Sequence, residues 1–213
     1  QHLWYRRQRQ MCIRDRYIGD QTGVYRAMDK LGPSSVASIA EEAKVDERYL
    51  KEWLASNAAR GYVHFNAESE EFSLTPEQAA VFARESEPTC IQGLIQGVVG
   101  QFVKEDVAID VFKTGRGRPW GEHHECCFCG TERFFRPAYA SHLLEEWIPA
   151  LEGVEDKLKM GAKVADIGCG LGTSSILMAE KYPNSTIHAF DFHGPSIEAV
   201  SYTHLTLPTI PQV

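Results

Sequence analysis

The sequence predicts an α/β protein, mainly helical over its N-terminal half, in which a parallel sheet begins near the C-terminal end. Three observations predict it. Three amphipathic helical stretches between residues 17 and 60 precede a short hairpin pattern at residues 62–74. Residues 88–160 keep helical rather than alternating apolar spacing. Residues 163–191 then run strand, glycine loop, helix, strand and acid, which is one βαβ unit.

The two ends follow a different logic. Residues 6–14 and 201–209 can be encoded by opposite strands of one DNA duplex. The codons TCT TAT ACA CAT CTG ACG CTG CCG ACG specify the second stretch. Their complement, CGT CGG CAG CGT CAG ATG TGT ATA AGA, specifies the first. The duplex resembles a transposase adapter used in sequencing libraries, and extending it inward accounts for Asp15, Arg16 and Val200. Residues 1–16 and 200–213 are therefore expected to be adapter-derived and to carry no fold information, as a tag would. A basic arm or targeting peptide would explain one end only.

Charge excludes one class of partner. The whole chain has a formal net charge of −7. The ends hold Arg6, Arg7, Arg9, Arg14 and Arg16 against Asp15 alone, so the remainder is more acidic still. Nucleic acid rewards Lys and Arg, so this balance disfavours it. It favours neutral or cationic ligands. No apolar run approaches the roughly 18 residues that a membrane span needs. Of the 6 cysteines, Cys12 falls in the adapter stretch, which leaves an odd number. Without a signal peptide, that suggests a reducing cytoplasm rather than a disulfide scaffold.

Each element has its own signals. Tyr17, Ile18, Val24, Tyr25 and Met28 share a face of a helix over residues 17–30, stopped by Gly32-Pro33. Ser35 caps a second helix reaching Lys44, with Ile39 and Ala40 inward. Asp46 caps a third, residues 47–60, with Tyr49, Leu50, Trp53, Leu54 and Ala58 as its apolar positions. Gly61 suits a left-handed residue after that helix. Two strands, residues 62–65 and 71–74, flank a turn, and Thr75, Pro76 and Gln78 spell a capping box. Three helices and a hairpin are the winged-helix order. The third helix, which would read DNA, is close to charge-neutral. The hairpin tip carries Glu68, Glu70 and Glu71, which repel phosphate. Dimerisation or substrate covering fits this unit better than DNA binding.

A helix is expected over residues 91–112, a loop over 114–119, and a helix over 131–147 with Pro137 as a kink or a new start. A further helix over 149–160 ends at Gly161. This divides the chain into a winged-helix-like domain (17–87), a helical connector that covers a ligand (88–160) and the start of a Rossmann-like domain (161–199).

The chemistry concentrates in the last of these. Lys163 to Ile167 reads as a buried strand, residues 168–172 as a glycine loop, residues 173–181 as a helix, and Thr186 to Phe190 as a second buried strand ending at Asp191. Gly168 permits a sharp turn with positive φ. Gly170 and Gly172, lacking Cβ, let backbone touch a ligand and let the helix pack on the strand. The helix N-terminus offers free N–H groups to a carboxylate. Asp191 can accept hydrogen bonds from both hydroxyls of a ribose. A dinucleotide site would show G-x-G-x-x-G, whereas this loop is G-x-G-x-G preceded by Asp166. No Gly-Lys-Ser/Thr follows, so it is not a phosphate-binding P-loop.

The Asp166, Gly168, Gly170, Gly172 pattern resembles motif I of the class I S-adenosylmethionine (SAM)-dependent methyltransferases. The stretches 130–139, 166–172 and 190–199, together with the winged-helix order, are similar to bacterial small-molecule methyltransferases with an N-terminal winged helix. That resemblance implies methyl transfer from SAM to an unidentified small-molecule acceptor. It implies that Gly168, Gly170 and Gly172 line the cofactor, that Asp166 holds the loop and the cofactor's amino end, and that Asp191 binds ribose. It implies a possible homodimer through the winged-helix region, and no membrane partner. A full class I sheet has about seven strands, so residues 17–199 are expected to be inactive alone and to bind cofactor weakly or not at all. The alternative is a SAM-binding or winged-helix transcriptional regulator without methyl transfer. No catalytic base is assigned.

Other groups are weaker signals. His123, His124, Cys126, Cys127 and Cys129 resemble a metal cluster, but zinc normally takes about four ligands as two separated pairs and no second pair follows. A loop with free thiols is the expectation, with no metal site. Phe134, Phe135 and Tyr139 suit either core packing or a cofactor cover. His193 suits a base, a surface residue or a neighbour of the adenine.

Overall fold

The structure, a computed structural model, describes residues 13–201, with side chains through Glu198. The adapter-like stretches 6–12 and 202–209 lie outside the described residues. Two compact units divide at Val103 and Lys104.

The first unit opens with α1 (13–21), which ends where Gly23 takes φ 75 before α2 (Val24–Leu31). The single helix expected over 17–30 is thus two, because a left-handed residue cannot continue a right-handed helix. Residues 13–16 form the first turn of α1. The Trp53 indole N–H donates to the Asp15 carbonyl at 2.9 Å, and the Asp15 carboxylate pairs with Arg60 at 3.1 Å.

α3 (Val36–Ala43) and α4 (Glu47–Ala58) start where predicted. The Ser38 amide donates to Ser35 Oγ at 3.2 Å, and the Tyr49 amide donates to Asp46 Oδ1 at 3.0 Å. Gly61 is left-handed at φ 74, as expected. β1 (His64–Asn66) and β2 (Glu71–Ser73) pair antiparallel, with Phe65 opposite Phe72. α5 (Pro76–Phe82) carries the complete Thr75–Gln78 capping box. Tyr25, Met28, Ile39, Leu50, Leu54, Phe72 and Phe82 form the core. Tyr49 is a correction: it is 73% exposed, because Leu50 and Leu54 set the buried face and Tyr49 points away from it. α6 (Gln92–Val103) docks through the Gln92 side-chain amide, which donates to the Phe82 carbonyl at 2.8 Å.

Lys104, at φ −114 and ψ 32, breaks the helix expected over 91–112. α6 therefore packs with the first unit, and α7 (Glu105–Thr114) opens the second. A 3-10 turn (Trp120–Glu122) precedes α8 (Glu125–Ala138). α8 begins earlier than predicted, so Cys126, Cys127 and Cys129 are helical and not in a loop. His124 supplies the reason: its Nδ1 accepts from the Cys126 amide at 3.2 Å, an N-cap that propensity alone does not advertise. Pro137 does not stop the helix. The chain continues into a π-helical segment (Tyr139–Trp147). α9 (Val154–Met160) starts only after left-handed Gly153, not at residue 149.

β3 (Lys163–Ile167), α10 (Thr173–Lys181) and β4 (Thr186–Phe190) form the predicted βαβ unit, and α11 (Gly194–Ser201) follows. The strands are parallel and in register, Asp166 beside Ala189 and Ile167 beside Phe190. They are not buried on both faces as expected. Ile167 is 71% exposed, because among the described residues this sheet has only these two strands. Ile148, Leu158 and Tyr182 make one small core here, and Cys169, Ala189 and Ile197 make another.

Candidate functional site

The loop between β3 and α10 has a backbone that only glycine adopts at low cost. Gly168, Gly170 and Gly172 have φ of 80, 56 and 75. The neighbouring strand ties the loop down. The Gly168 and Cys169 amides donate to the Phe190 carbonyl at 2.7 and 3.0 Å. The Gly170 amide donates to Asp191 Oδ2 and the His193 amide to Asp191 Oδ1, both at 2.8 Å. Asp166 holds the other side, where Oδ2 accepts from the Ser174 and Ser175 hydroxyls at 2.7 Å each. The acid before the loop thereby anchors the first turn of α10.

A cavity of about 290 Å³ lies over this loop. Asp166, Gly168 and Gly170 line it from the sheet side. Of the other predicted site residues, Gly172 caps α10 and Asp191 sits behind the loop, only 9% exposed, outside the lining. Its carboxylate has about four acceptor positions, and two amides occupy two of them.

The opposite wall comes from Trp120 and one face of α8 and its π-helical extension: Phe128, Glu132, Phe135 and Tyr139. Phe135 and Tyr139 thus reach the cavity, and Phe134 does not line it. The Thr173 hydroxyl donates to Glu132 Oε1 at 3.0 Å, linking α8 to the start of α10, and Arg136 forks onto both Glu132 oxygens. The sequence reading missed Trp120, Phe128 and Glu132. A signal was present: residues 128, 132, 135 and 139 recur at helical spacing, and one of them is charged in an otherwise aromatic row.

His193 lies beside this wall, its ring stacked on Phe128 at 4.5 Å and its Nδ1 2.8 Å from Ser196 Oγ. His123 packs near Trp120, and burial, then the Arg118 charge, holds its pKa below the usual histidine value. Burial raises the Cys127 and Cys129 thiols. The Cys169 thiol, in the glycine loop, is pushed up to about 11, first by burial and then by the charges of Asp166 and Asp191. Among the described residues no group of three or more His, Cys, Asp or Glu could hold a metal ion.

The donor set fits an adenosyl amino acid. Loop backbone without Cβ and an aromatic wall face one cavity, and the Asp191 carboxylate, behind the loop at the end of β4, keeps acceptor capacity. Its volume sits near the lower end of the roughly 300–1,000 Å³ common for small-molecule sites.

A family profile described as the Rv2258c-like winged HTH domain matches residues 16–84. The comparison with curated proteins gives no match. Several solved structures are similar. Human N-acetylserotonin methyltransferase, in complex with SAM, superposes with a TM-score of 0.65 at 13% identity, over 95% of this chain and 62% of that one. A putative O-methyltransferase from Nostoc punctiforme gives 0.61 at 20% identity, over 92% of this chain and 56% of that one. CalO1, described as a methyltransferase in calicheamicin biosynthesis and SAH-bound, gives 0.56 at 18% identity, over 100% and 65%. The fold is therefore a winged-helix domain followed by a methyltransferase-like α/β fold. The chain spans less than two thirds of the length of these structures. No helix among the described residues is long and apolar enough to cross a membrane.

Proposed function

We propose that this chain carries the cofactor-binding part of a SAM-dependent methyltransferase acting on a small-molecule acceptor. The observation that carries this is the bond from the Gly170 amide to Asp191. It joins the glycine loop after one strand to the acid after the next, beneath a cavity lined by that loop. Solved structures of similar fold are described as bound to SAM or SAH, which supports the same cofactor here.

Bound SAM supplies a methyl group on a sulfonium, a good leaving group, for in-line attack by an O, N or C nucleophile. The chain's own residues hold and orient. Gly168 and Gly170, lacking Cβ, let backbone approach the ligand, Asp191 accepts from ribose hydroxyls, and Asp166 keeps α10 in place. Positioning of this kind supplies much of the acceleration when the leaving group is already good. A base is needed only for acceptors protonated at neutral pH.

The first unit is proposed to cover the acceptor or dimerise rather than read DNA. Glu68, Glu70 and Glu71 on the hairpin support that. A gel shift with genomic DNA at physiological salt tests it, and a retained band overturns it. Residues 1–16 and 200–213 are proposed to be adapter-derived on the strength of their shared duplex. Amplifying the native locus across both junctions tests this, and a continuous coding match overturns it.

Calorimetry tests the cofactor. Titrated into the 213-residue chain, SAM is expected to bind weakly or not at all, and NAD not at all. Uptake of NAD with no response to SAM overturns the proposal.

A further inference from the structure

We propose that Cys126 and Cys129 are a redox-modifiable dithiol, and that the disulfide between them alters the cavity wall through Phe128. The inference goes beyond the methyl-donor reading and does not depend on it.

Cys126, Cys127 and Cys129 sit in the first turns of α8, and none is in a disulfide. Helical spacing selects one pair. Residues three apart share a helix face, whereas residues one or two apart do not. Cys126 and Cys129 therefore lie on one face, and Cys127 lies off it. Three positions along a helix place Cα atoms about 5 Å apart, inside the roughly 4.4–6.8 Å that disulfides span. Their Cβ atoms, about 5–6 Å apart in a regular helix, must close to about 3.8 Å. A helix start can tighten in this way, because its first amides have no carbonyl four residues back and 3-10 turns are common there. The Cys127 amide already bonds the His124 carbonyl, three residues back, at 2.8 Å. Cys129 is exposed and open to a reagent.

Phe128 lies between the two thiols in sequence. Its ring stacks on His193 at 4.5 Å, meets Trp120 edge-on at 5.2 Å and lines the cavity. The His193 amide donates to Asp191, which also holds the Gly170 amide. Tightening the turn around Phe128 therefore shifts a ring that touches the support of the glycine loop.

The oxidant is a small-molecule disulfide such as glutathione disulfide. The Cys129 thiolate attacks one of its sulfurs, forming a mixed disulfide and expelling one glutathione thiolate. Cys126 loses its proton to solvent, and its sulfur attacks the Cys129 sulfur and expels the second. Two protein thiols are oxidised, one glutathione disulfide is reduced, and the released thiolates take up the two protons. Burial, then the Glu125 charge, raises the Cys129 thiol, so the reduced pair lacks the thiolate stabilisation that makes a disulfide strongly oxidising.

The full chain is equilibrated with millimolar glutathione and its disulfide, quenched in acid, alkylated and digested with trypsin. Residues 117–133 carry all three thiols in one tryptic peptide. The Cys126–Cys129 disulfide, with Cys127 alkylated, should outnumber the Cys129–glutathione adduct by about 10-fold, because the second thiol acts within the molecule. Cys126→Ser should leave the adduct alone, and Cys127→Ser should change nothing. Cys129→Ser, at an exposed position, should block both products and serves if Cys126→Ser fails to fold by circular dichroism. On oxidation the NMR signals of the His193 ring, assigned by their loss in His193→Asn, should move in the intact chain and stay in place in Cys129→Ser. An adduct without the internal disulfide, a link through Cys127, no reaction, or a disulfide that leaves the His193 signals unmoved overturns the proposal.

Discussion

The Gly170 amide donates to the Asp191 carboxylate at 2.8 Å, and through that bond the end of β4 sets the conformation of the loop that follows β3. Asp191 also accepts from the His193 amide at 2.8 Å, so one nearly buried carboxylate organises two backbone turns. Asp191→Ala leaves both amides without their acceptor. The expected loss is about 2–3 kcal/mol in the stability of the second unit, read by urea denaturation. Asp191→Asn keeps one acceptor oxygen and should recover part of that loss. Wild-type stability in Asp191→Ala would refute the organising role.

In the first unit the Thr75–Gln78 capping box satisfies two orphan amides at the start of α5. Thr75→Ala should cost about 1 kcal/mol and Thr75→Ser only a few tenths. Thermal melts followed by circular dichroism separate the two. Equal melting temperatures for wild type and Thr75→Ala would show that other contacts hold α5.

Cys169 gives a pH dependence. Its folded-state pKa is raised from 9.0 to about 11, so folding favours the neutral thiol. Stability from this group is fully present below pH 9 and declines as pH rises through 11. The loss is on the order of 2 kcal/mol or less. Cys169→Ser should flatten that alkaline decline in denaturation curves. In the folded wild type, iodoacetamide should label exposed Cys129 far faster than buried Cys169 at pH 8. Comparable labelling rates would contradict the assigned environment.

The His123 to Cys129 stretch is expected to hold no stoichiometric zinc. His124 is committed to capping α8 through the Cys126 amide, and Cys126 and Cys127 are buried. Elemental analysis of protein purified without chelator checks this, and one zinc per chain would reverse it.

Residues 17–199 alone are expected to transfer no methyl group, since among the described residues the sheet has only β3 and β4 beside the cavity. A radiolabelled-SAM assay over a panel of phenols, amines and carboxylic acids is the check. Turnover above background on any of them would overturn the expectation.

Much of the architecture was legible because its signals are local. Ser35, Asp46 and Thr75 cap helices within three residues of themselves. The Asp166-to-Gly172 pattern announces a strand, a left-handed turn and a helix start in one short stretch. Less legible were elements that depend on a competing local choice. Gly23 split one expected helix, Lys104 split another, and α8 ran through Pro137 into a π-helical segment. Periodicity identifies a helical face but cannot tell which of two adjacent apolar residues turns outward, and Tyr49 did.

The sequence by itself determined the order of elements, the caps, the glycine loop and the acid placed to meet it, because each follows from backbone sterics and hydrogen bonding over a few residues. Tertiary structure alone decided what faces that loop. Glu132 reaches Thr173 across 41 positions of chain, and Asp191 reaches Gly170 across 21. Encounters at such separation depend on how helices pack on a sheet, and no local propensity encodes that packing.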